Sequence, residues 1–339
     1  MRKLKVLALV HRHLVPPEDT TGLDVINAEW KMEFDVKTTL EEQGHTVQVV
    51  GVHDDLGAIR RAVEEFQPDI IFNLLEAFAD VTTFDQNVVS YLELLRRPYT
   101  GCNPRGLTLS RDKSLSKKLL AYHRVPVPEF TVVRRGRKPV LPKRMRFPLI
   151  VKSLVYESST GISQASVVDG MAQLERRVQF VHESLGTAAI LEEFIDGREL
   201  YVGVIGNQRL QAFPVWEMFF SNMPDNARRI ATERVKWNTK YQQRHGITTG
   251  LAELDDGLSE RIQHLARRAY RALDLSGYAR LDLRLNAEGQ PYIIEANPNP
   301  QLAYGEDFAE SAEKAGISYE ALLERIMALG LQWQPERTG

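Results

Sequence analysis

The sequence predicts an α/β protein, and two observations carry this prediction. Through residue 104, short apolar strand patterns alternate with helical patterns, an order typical of a parallel sheet covered by helices. Over residues 278–297, apolar and polar side chains alternate around an Asn-Ala-Glu-Gly turn, which is typical of a β-hairpin. Because 339 residues exceed the length of one typical domain, we expect two or three domains.

The N-terminal part is predicted to contain three strands and three helices. Gly44 suits the C-terminal cap of the first helix, and Pro68 closes the second. The predicted elements are strands at residues 4–10, 46–52 and 69–75, helices at residues 27–43 and 56–66, and a helix with Val88, Tyr91, Leu92 and Leu95 on one face. This alternation predicts an N-terminal α/β domain over residues 1–104.

The carboxyl ends of these strands are candidate ligand-binding positions. In open α/β sheets ligands bind outside those ends, which here means residues 11–18 and 76–80. The first loop contains His11 and His13, for which ordinary loop histidines are the alternative interpretation.

Composition excludes several classes of protein. The chain is 43% hydrophobic and 26% charged with a net charge of −2, so no overall basic field favours nucleic acid. The single cysteine, Cys102, allows neither an intrachain disulfide nor a cysteine-based metal cluster, and we expect it to be packed. Without an apolar run of membrane-spanning length or the apolar core of a signal peptide, the expected location is cytoplasmic.

The predicted hairpin places oxygen ligands on one face. Alternation puts Arg280, Asp282 and Arg284 opposite the leucines of the first strand. In the simplest register Arg280 lies opposite Glu295, and Asp282, Glu295 and Asn297 share a face. Two carboxylates and an amide oxygen suit Mg²⁺, which usually acts together with substrate phosphates. The alternative is a solvated face with an Arg–Glu cross-strand pair.

The order Arg-x-Asp, turn, Glu-x-Asn resembles the metal-binding hairpin of ATP-grasp ligases, in particular the D-alanine–D-alanine ligase branch. The resemblance implies two Mg²⁺ ions, for which Mn²⁺ could substitute. Asp282 and Glu295 would hold one ion, and Glu295 and Asn297 the second. Arg280 would stabilise the reacting phosphate and the tetrahedral centre.

Two lysines fit the same family. Lys113 follows Ser110, a plausible N-cap, near the start of a helix, and residues 99–128 closely resemble the start of the family's ATP-binding part. Lys152 ends the strand pattern of residues 147–152. The resemblance implies that both lysines bind the nucleotide, whereas solvent-facing lysines are the alternative.

The stretch after Lys152 resembles the family's phosphate-covering loop, Gly-Ser-Ser-x-Gly. The resemblance gives Ser158 a catalytic role and Ser159 a nucleotide-binding role. Glu157 replaces the family's first glycine, which makes the loop stiffer and adds a negative charge. An ordinary turn is the alternative for the bare pattern.

A strand at residues 188–191 leads into a segment that resembles the family's adenine-binding hinge. The resemblance assigns Glu192 and Glu193 to the nucleotide site, with Glu192 facing the adenine amine. Ile195 would offer backbone polar groups. Glu199 would accept the ribose hydroxyls, a role that suits a carboxylate.

Residues 222–250 lack clean periodicity, and we expect an irregular functional loop there. Within it, residues 236–241 resemble the family's mobile ω-loop, which implies that Lys240 and Tyr241 close over the γ-phosphate. Further strands are predicted at residues 201–205 and 211–215, and helices at residues 258–273, 306–316 and 318–329.

The resemblance implies an ADP-forming carboxylate–amine ligase that acts through an acyl phosphate on an amino acid or small peptide. ATP would lie between a central lid (residues 105–195) and a C-terminal domain (residues 196–339). D-alanine–D-alanine ligase itself, an ATP-grasp kinase and a nucleotide-binding protein without amide-bond formation are the alternatives. We expect small-molecule substrates and neither nucleic-acid nor membrane partners, and a homodimer is left open.

Three departures from the family fall where it binds its amino acids. The first strand leads into residues 11–18 instead of a loop with a Ser-Glu-x-x-x-Ser core, and the family's Leu-His-Gly becomes Leu75-Glu76-Ala77. Residues 297–303 lack the family's glycine and hydroxyl in this loop. These changes predict a substrate other than paired D-alanine. Glu76 and Glu18 could bind an amine-bearing substrate, with surface carboxylates as the alternative.

Overall fold

The computed structural model describes residues 2–156, 159–224 and 227–334. In these ranges the chain forms three sheets, two of them purely antiparallel and one parallel. The fold is α/β, as the sequence predicts.

The parallel sheet lies at the N-terminus, with strand order β2-β1-β3. Its elements are β1 (Lys5–His11), α1 (Lys31–Glu42), β2 (Thr46–Val52), α2 (Leu56–Phe66), β3 (Ile70–Asn73) and α3 (Asp85–Leu94). The bounds of β2 and α2 are those predicted, and the other elements lie within a few residues of their predicted ends. Cys102 is fully buried, as expected.

Two helices rather than one follow this sheet: α4 (Pro104–Arg111) and α5 (Lys113–Tyr122). The N-cap of α5 is therefore Asp112, and the prediction of Ser110 was wrong. Asp112 has an extended backbone, and its carboxylate accepts the N–H groups of Ser114 and Leu115 at 2.8 and 2.9 Å. A carboxylate cap satisfies free amide groups at a helix start, which separates the two helices at this residue.

The second sheet is antiparallel, with order β4-β7-β5-β6, and has its own apolar core under α6. Its elements are β4 (Phe130–Val133), β5 (Leu149–Ser153), β6 (Val167–Val168), α6 (Met171–Ser184) and β7 (Ala189–Glu193).

The third sheet has the order β11-β10-β8-β12-β13, with β9 beside β8. The remaining elements are β8 (Arg198–Ile205), β9 (Gln211–Ala212), β10 (Trp216–Phe220), α7 (Glu233–Trp237), α8 (Thr239–His245), β11 (Ile247–Leu251), α9 (Asp256–Ala272), β12 (Tyr278–Leu285), β13 (Pro291–Pro298), α10 (Asp307–Lys314) and α11 (Tyr319–Leu331).

Within the stretch predicted to be irregular, residues 222–250, the chain from Glu233 onward is mostly helix and strand. Thr232 and Asn238 cap α7 and α8, and Gly246 ends α8 in the left-handed conformation. β11 then pairs with β10, so its structure depends on a partner strand that local periodicity does not reveal.

The hairpin of β12 and β13 forms in a different register from the predicted one. Asp282 lies opposite Glu295 and Arg280 opposite Asn297. Next to the turn the pairing already differs from the predicted register by one residue, and a β-bulge after Asp282 adds a second residue at the site. Since side chains alternate with period two, each stays on its predicted face.

The N-terminal sheet and the six-stranded sheet are packed together. One apolar cluster contains Leu7 and Ile71 together with Leu200 and Leu281. A second joins Ile70 to Ile326 on α11, so the last helix packs against the first sheet. None of the helices in the described residues is long and apolar enough to cross a membrane.

Candidate active site

A pocket of about 810 Å³, including its open mouth, lies between the four-stranded and six-stranded sheets. It is lined by side chains from both sheets and from α5. The predicted residues in this lining are Lys113, Lys152, Ser159, Glu192, Glu193, Ile195, Glu199, Asp282 and Glu295. The structure therefore brings together residues that lie far apart in the sequence.

Three lysines form ion pairs with two glutamates at the base of the pocket. Lys113 Nζ lies 2.7 Å from Glu295 Oε1. Lys152 Nζ lies 2.9 Å from Glu192 Oε2, and Lys117 Nζ lies 3.3 Å from Glu192 Oε1. Glu192 is 1% exposed, so its charge depends on these two lysines. Glu192 is ion-paired with two lysines, and the contact with adenine that the resemblance implies for Glu192 stays a prediction.

These pairs keep the glutamates ionised despite their burial. Burial alone would raise the pKa of Glu295, but Lys113, through its charge and hydrogen bond, together with the charges of Lys152 and Lys236 lowers that pKa to about 2. Burial would likewise raise the pKa of Glu192, and Lys117 and Lys152 reverse that shift. Burial raises the pKa of Asp282, against the opposing charge of Arg280.

The hairpin carries the predicted metal ligands. Asp282 accepts two hydrogen bonds from Arg280, from Nε at 2.8 Å and Nη2 at 3.0 Å. The Arg280 guanidinium also lies 4.8 Å from the centre of the Tyr201 ring, a cation–π distance. The buried side-chain nitrogen of Asn297 has no hydrogen-bond partner among the described residues. That amide nitrogen is a donor, so a metal ligand from Asn297 would be its oxygen. The two opposed carboxylates, Asp282 and Glu295, fit a hard divalent cation that prefers oxygen ligands.

Arg284 organises the predicted hinge, a role that the sequence did not reveal. Its Nε and Nη2 donate to the carbonyls of Ile195 and Gly197, each at 3.0 Å, and its Nη1 donates to Glu199 Oε2 at 3.0 Å. Glu199 also accepts from Tyr201 Oη at 3.1 Å. The backbone N–H of Ala231 donates a third hydrogen bond, to Oε2 at 3.2 Å. A carboxylate accepts about four hydrogen bonds, so Glu199 keeps one position for a ribose hydroxyl.

The phosphate-covering loop is described from Ser159 onward, and Ser158 and Glu157 lie outside the described residues. Ser159 Oγ donates to the carbonyl of Ala231 at 2.7 Å, which ties this loop to the segment before α7. Lys236 on α7 lines the pocket, whereas Lys240 is exposed on α8 and lies outside the lining. The closing role of Lys240 stays a prediction.

Sequence reasoning missed Lys117, Arg284 and Lys236. Lys117 follows Lys113 by four residues on α5, which places the two on one helix face. Arg284 lies on the same strand face as Arg280 and Asp282. The four-residue spacing on the helix and the two-residue spacing on the strand indicated that these side chains could share a site.

Comparison with known proteins gives one family. A family model described as "D-ala D-ala ligase C-terminus" matches residues 119–328. The chain is 30% identical over 303 residues to the D-alanine--D-alanine ligase of Desulforudis audaxviator, covering 87% of this chain and 90% of that protein. It is 30% identical over 299 residues to the uncharacterized protein y4sG of Sinorhizobium fredii, covering 86% and 85%.

The crystal structure of D-alanine--D-alanine ligase from Bacillus anthracis complexed with ATP is similar in fold. The TM-score is 0.74 at 21% identity, covering 97% of this chain and 98% of that chain. The chain thus has the ATP-grasp fold, and its class is that of carbon–nitrogen ligases that use ATP. It belongs to the family described as D-ala D-ala ligase C-terminus, as the resemblance of its motifs implied.

Proposed function

We propose that the chain is an ADP-forming ligase that joins the carboxylate of an amino acid or small peptide to an amine through an acyl phosphate. One observation carries this proposal: Lys113, Lys152 and Lys236 line the same pocket as Asp282 and Glu295. Such a pocket supplies positive charge for phosphates and oxygen ligands for Mg²⁺.

Asp282, Glu295 and Asn297 would hold Mg²⁺, as two ions in the arrangement that the family resemblance implies. When bound, the metal would neutralise negative charge on the phosphate groups. Glu295 is suited to this because Lys113 keeps its carboxylate ionised. The hinge, fixed by Arg284 and Glu199, would orient the adenosine part.

In the first step, a carboxylate oxygen of the substrate attacks the γ-phosphorus, and the bond to the bridging oxygen of ADP breaks. Lys113, Lys152 and Lys236 stabilise the charge that moves onto the phosphate oxygens. In the second step, the amine nitrogen attacks the acyl carbon, phosphate leaves, and the nitrogen loses a proton. Arg280, held by Asp282, stabilises the oxyanion of the tetrahedral centre.

We propose that the substrates differ from a pair of D-alanines. In the loop after the hairpin, Leu302 and Ala303 are fully buried, and Asn299 Oδ1 accepts the backbone N–H of Cys102 at 2.8 Å. These side chains serve packing and backbone hydrogen bonding. Glu76 and Glu18 are both exposed to solvent, so each carboxylate is open to contact an amine-bearing substrate.

An ADP-release screen over amino acids, dipeptides and amines, with the product mass determined, tests the proposal. We expect ADP and phosphate to form only when a carboxylate and an amine are both present, with a product mass equal to the two substrates minus water. ADP release with a phosphorylated product and no amine would instead indicate a kinase. D-alanyl-D-alanine formation at about 1 s⁻¹ or more would overturn the substrate proposal.

A further inference from the structure

A cluster of imidazole and carboxylate groups lies at the carboxyl ends of the N-terminal strands, in a different part of the fold from the nucleotide pocket. His53 Nε2 lies 3.0 Å from Asp80 Oδ2, and His11 Nε2 lies 3.7 Å from Asp80 Oδ1. The rings of His11 and His53 are 5.5 Å apart. One ligand atom from each of the three residues lies within 4.8 Å of the others. In residues 2–156, 159–224 and 227–334, no other group of three His, Cys, Asp or Glu meets that criterion.

The parallel sheet itself brings the two histidines together. His11 is the last residue of β1 and pairs with Val52, the last residue of β2, so His53 follows at the same edge. Gly51 allows the turn after His11 to lie against β2, because a Cβ there would come within 2.6 Å of Val15 and 3.0 Å of the Arg12 backbone.

Asp80 is held near the histidines by a tight turn. Phe78 and Val81 form a bridge around Ala79 and Asp80, which have positive φ angles of 51° and 60°. The N–H of Ala79 donates to the carbonyl of His53 at 2.7 Å, which fixes the turn to the end of β2. Positive φ angles at two consecutive non-glycine residues are unfavourable, so this conformation depends on the surrounding contacts.

We propose that His11, His53 and Asp80 form a binding site for one divalent transition-metal ion of the Zn²⁺ type. Two imidazoles with one carboxylate are a ligand set typical of such ions, and they differ from the all-oxygen set of the hairpin. Asp54 lies 3.4 Å from His53 Nδ1, the ring nitrogen that faces away from Asp80. A carboxylate in this place orients a metal-binding histidine.

Bound metal would connect the ends of β1 and β2 to the turn of residues 78–81. The side chain of Asp80 is 74% exposed, whereas those of His11 and His53 are 16% and 18% exposed. The ion would therefore lie at the surface with one coordination position open to water. His13, whose ring lies 5.3 Å from that of His11, is a neighbour outside the ligand set.

Calorimetric titration of the chelator-treated full chain with Zn²⁺, in saturating Mg²⁺, tests this proposal. We expect one Zn²⁺ per chain and a higher melting temperature of the parent with Zn²⁺. Removal of an orienting carboxylate weakens metal binding by about 10- to 100-fold, so Asp54→Asn should fall in that range. His11→Ala, His53→Ala and Asp80→Asn should each lose about 100-fold or more.

Matched variants separate this site from other histidines and from the hairpin. His264→Ala, at an exposed position of α9, His13→Ala, and the double variant Asp282→Asn/Glu295→Gln should keep the parent's Zn²⁺ affinity. Thermal unfolding without metal shows which variants fold. If a histidine variant does not fold, Asp80→Asn still tests the proposal, because Asp80 lies on an exposed turn. No stoichiometric binding, unchanged affinity in Asp80→Asn, or loss of binding in the hairpin double variant would overturn the proposal.

Discussion

Lys113 Nζ lies 2.7 Å from Glu295 Oε1, so a lysine expected to bind nucleotide is paired with a residue expected to bind metal. Each group neutralises the charge of the other. Burying either charge alone would be costly, because a buried ion needs a partner. Phosphate and Mg²⁺ would supply new partners to both, which makes binding of the two ligands interdependent.

The hairpin carboxylates should be essential for chemistry. We expect Asp282→Asn and Glu295→Gln to abolish Mg²⁺-dependent ADP formation with the fold retained, because each would remove an anionic ligand of the proposed metal site. Steady-state ADP release and circular dichroism check this. Glu288→Gln, in the exposed turn of the same hairpin, is the control and should be fully active. Turnover within a few-fold of the parent at saturating Mg²⁺ would refute the assignment.

Lys152→Ala and Glu199→Ala should weaken nucleotide binding. Loss of one charge-assisted contact corresponds to about 1.5–3 kcal/mol, so the affinity should fall by about 10- to 150-fold. Acceptor preference should not change. Calorimetric titration with a non-hydrolysable ATP analogue measures this, and Lys118→Ala on the exposed side of α5 is the control. Unchanged affinity in both variants would contradict the hinge assignment.

Lys236 and Lys240 should have separable effects. Lys236 lines the pocket, where its charge opposes the rise in pKa that burial causes at Asp282 and adds to the lysine charges that lower the pKa of Glu295. We expect Lys236→Ala to weaken binding of the ATP analogue. Lys240 is exposed on α8, so Lys240→Ala should lower kcat without changing that affinity, because its contact forms only on loop closure. Equal losses of affinity in the two variants would show that both lysines bind the ground state.

Glu33 should make stability depend on pH. This side chain is 2% exposed, and burial raises its pKa to about 7 from 4.5. Between pH 4.5 and 7 the folded state therefore holds a proton that the unfolded state releases, so the contribution of Glu33 to stability is highest below pH 4.5 and falls as pH rises to 7. The shift corresponds to about 3 kcal/mol above pH 7.

Glu33→Gln should remove that dependence. Urea unfolding at acid and alkaline pH checks this, and the variant should gain stability over the parent as pH rises. Glu42→Gln, exposed on the same helix, should follow the parent at every pH. A parent and a Glu33→Gln variant with parallel pH profiles would exclude a buried protonated carboxyl.

Local patterns were sufficient for most of the elements and for the strand face on which the predicted metal ligands lie. Alternation placed Asp282, Glu295 and Asn297 on one face of the hairpin. Side chains alternate between the two faces of a strand, so a register shift of two residues leaves each side chain on the same face. The order of the motifs indicated the family. The register itself needed the bulge after Asp282, which arises from pairing between strands.

The pairing of charges was decided by tertiary structure alone. Lys117 donates to the carbonyl of Ile294, 177 residues away, at 2.6 Å, and nothing near Lys117 in the sequence indicates this partner. The same holds for Arg284, which contacts Glu199 on the neighbouring strand β8 and the carbonyls of Ile195 and Gly197 just before it. Sequence by itself determined which chemical groups the chain carries and which strand face presents them. Only the packing of the sheets decided which groups are buried together, because burial makes an unpaired charge unfavourable and so selects the partners.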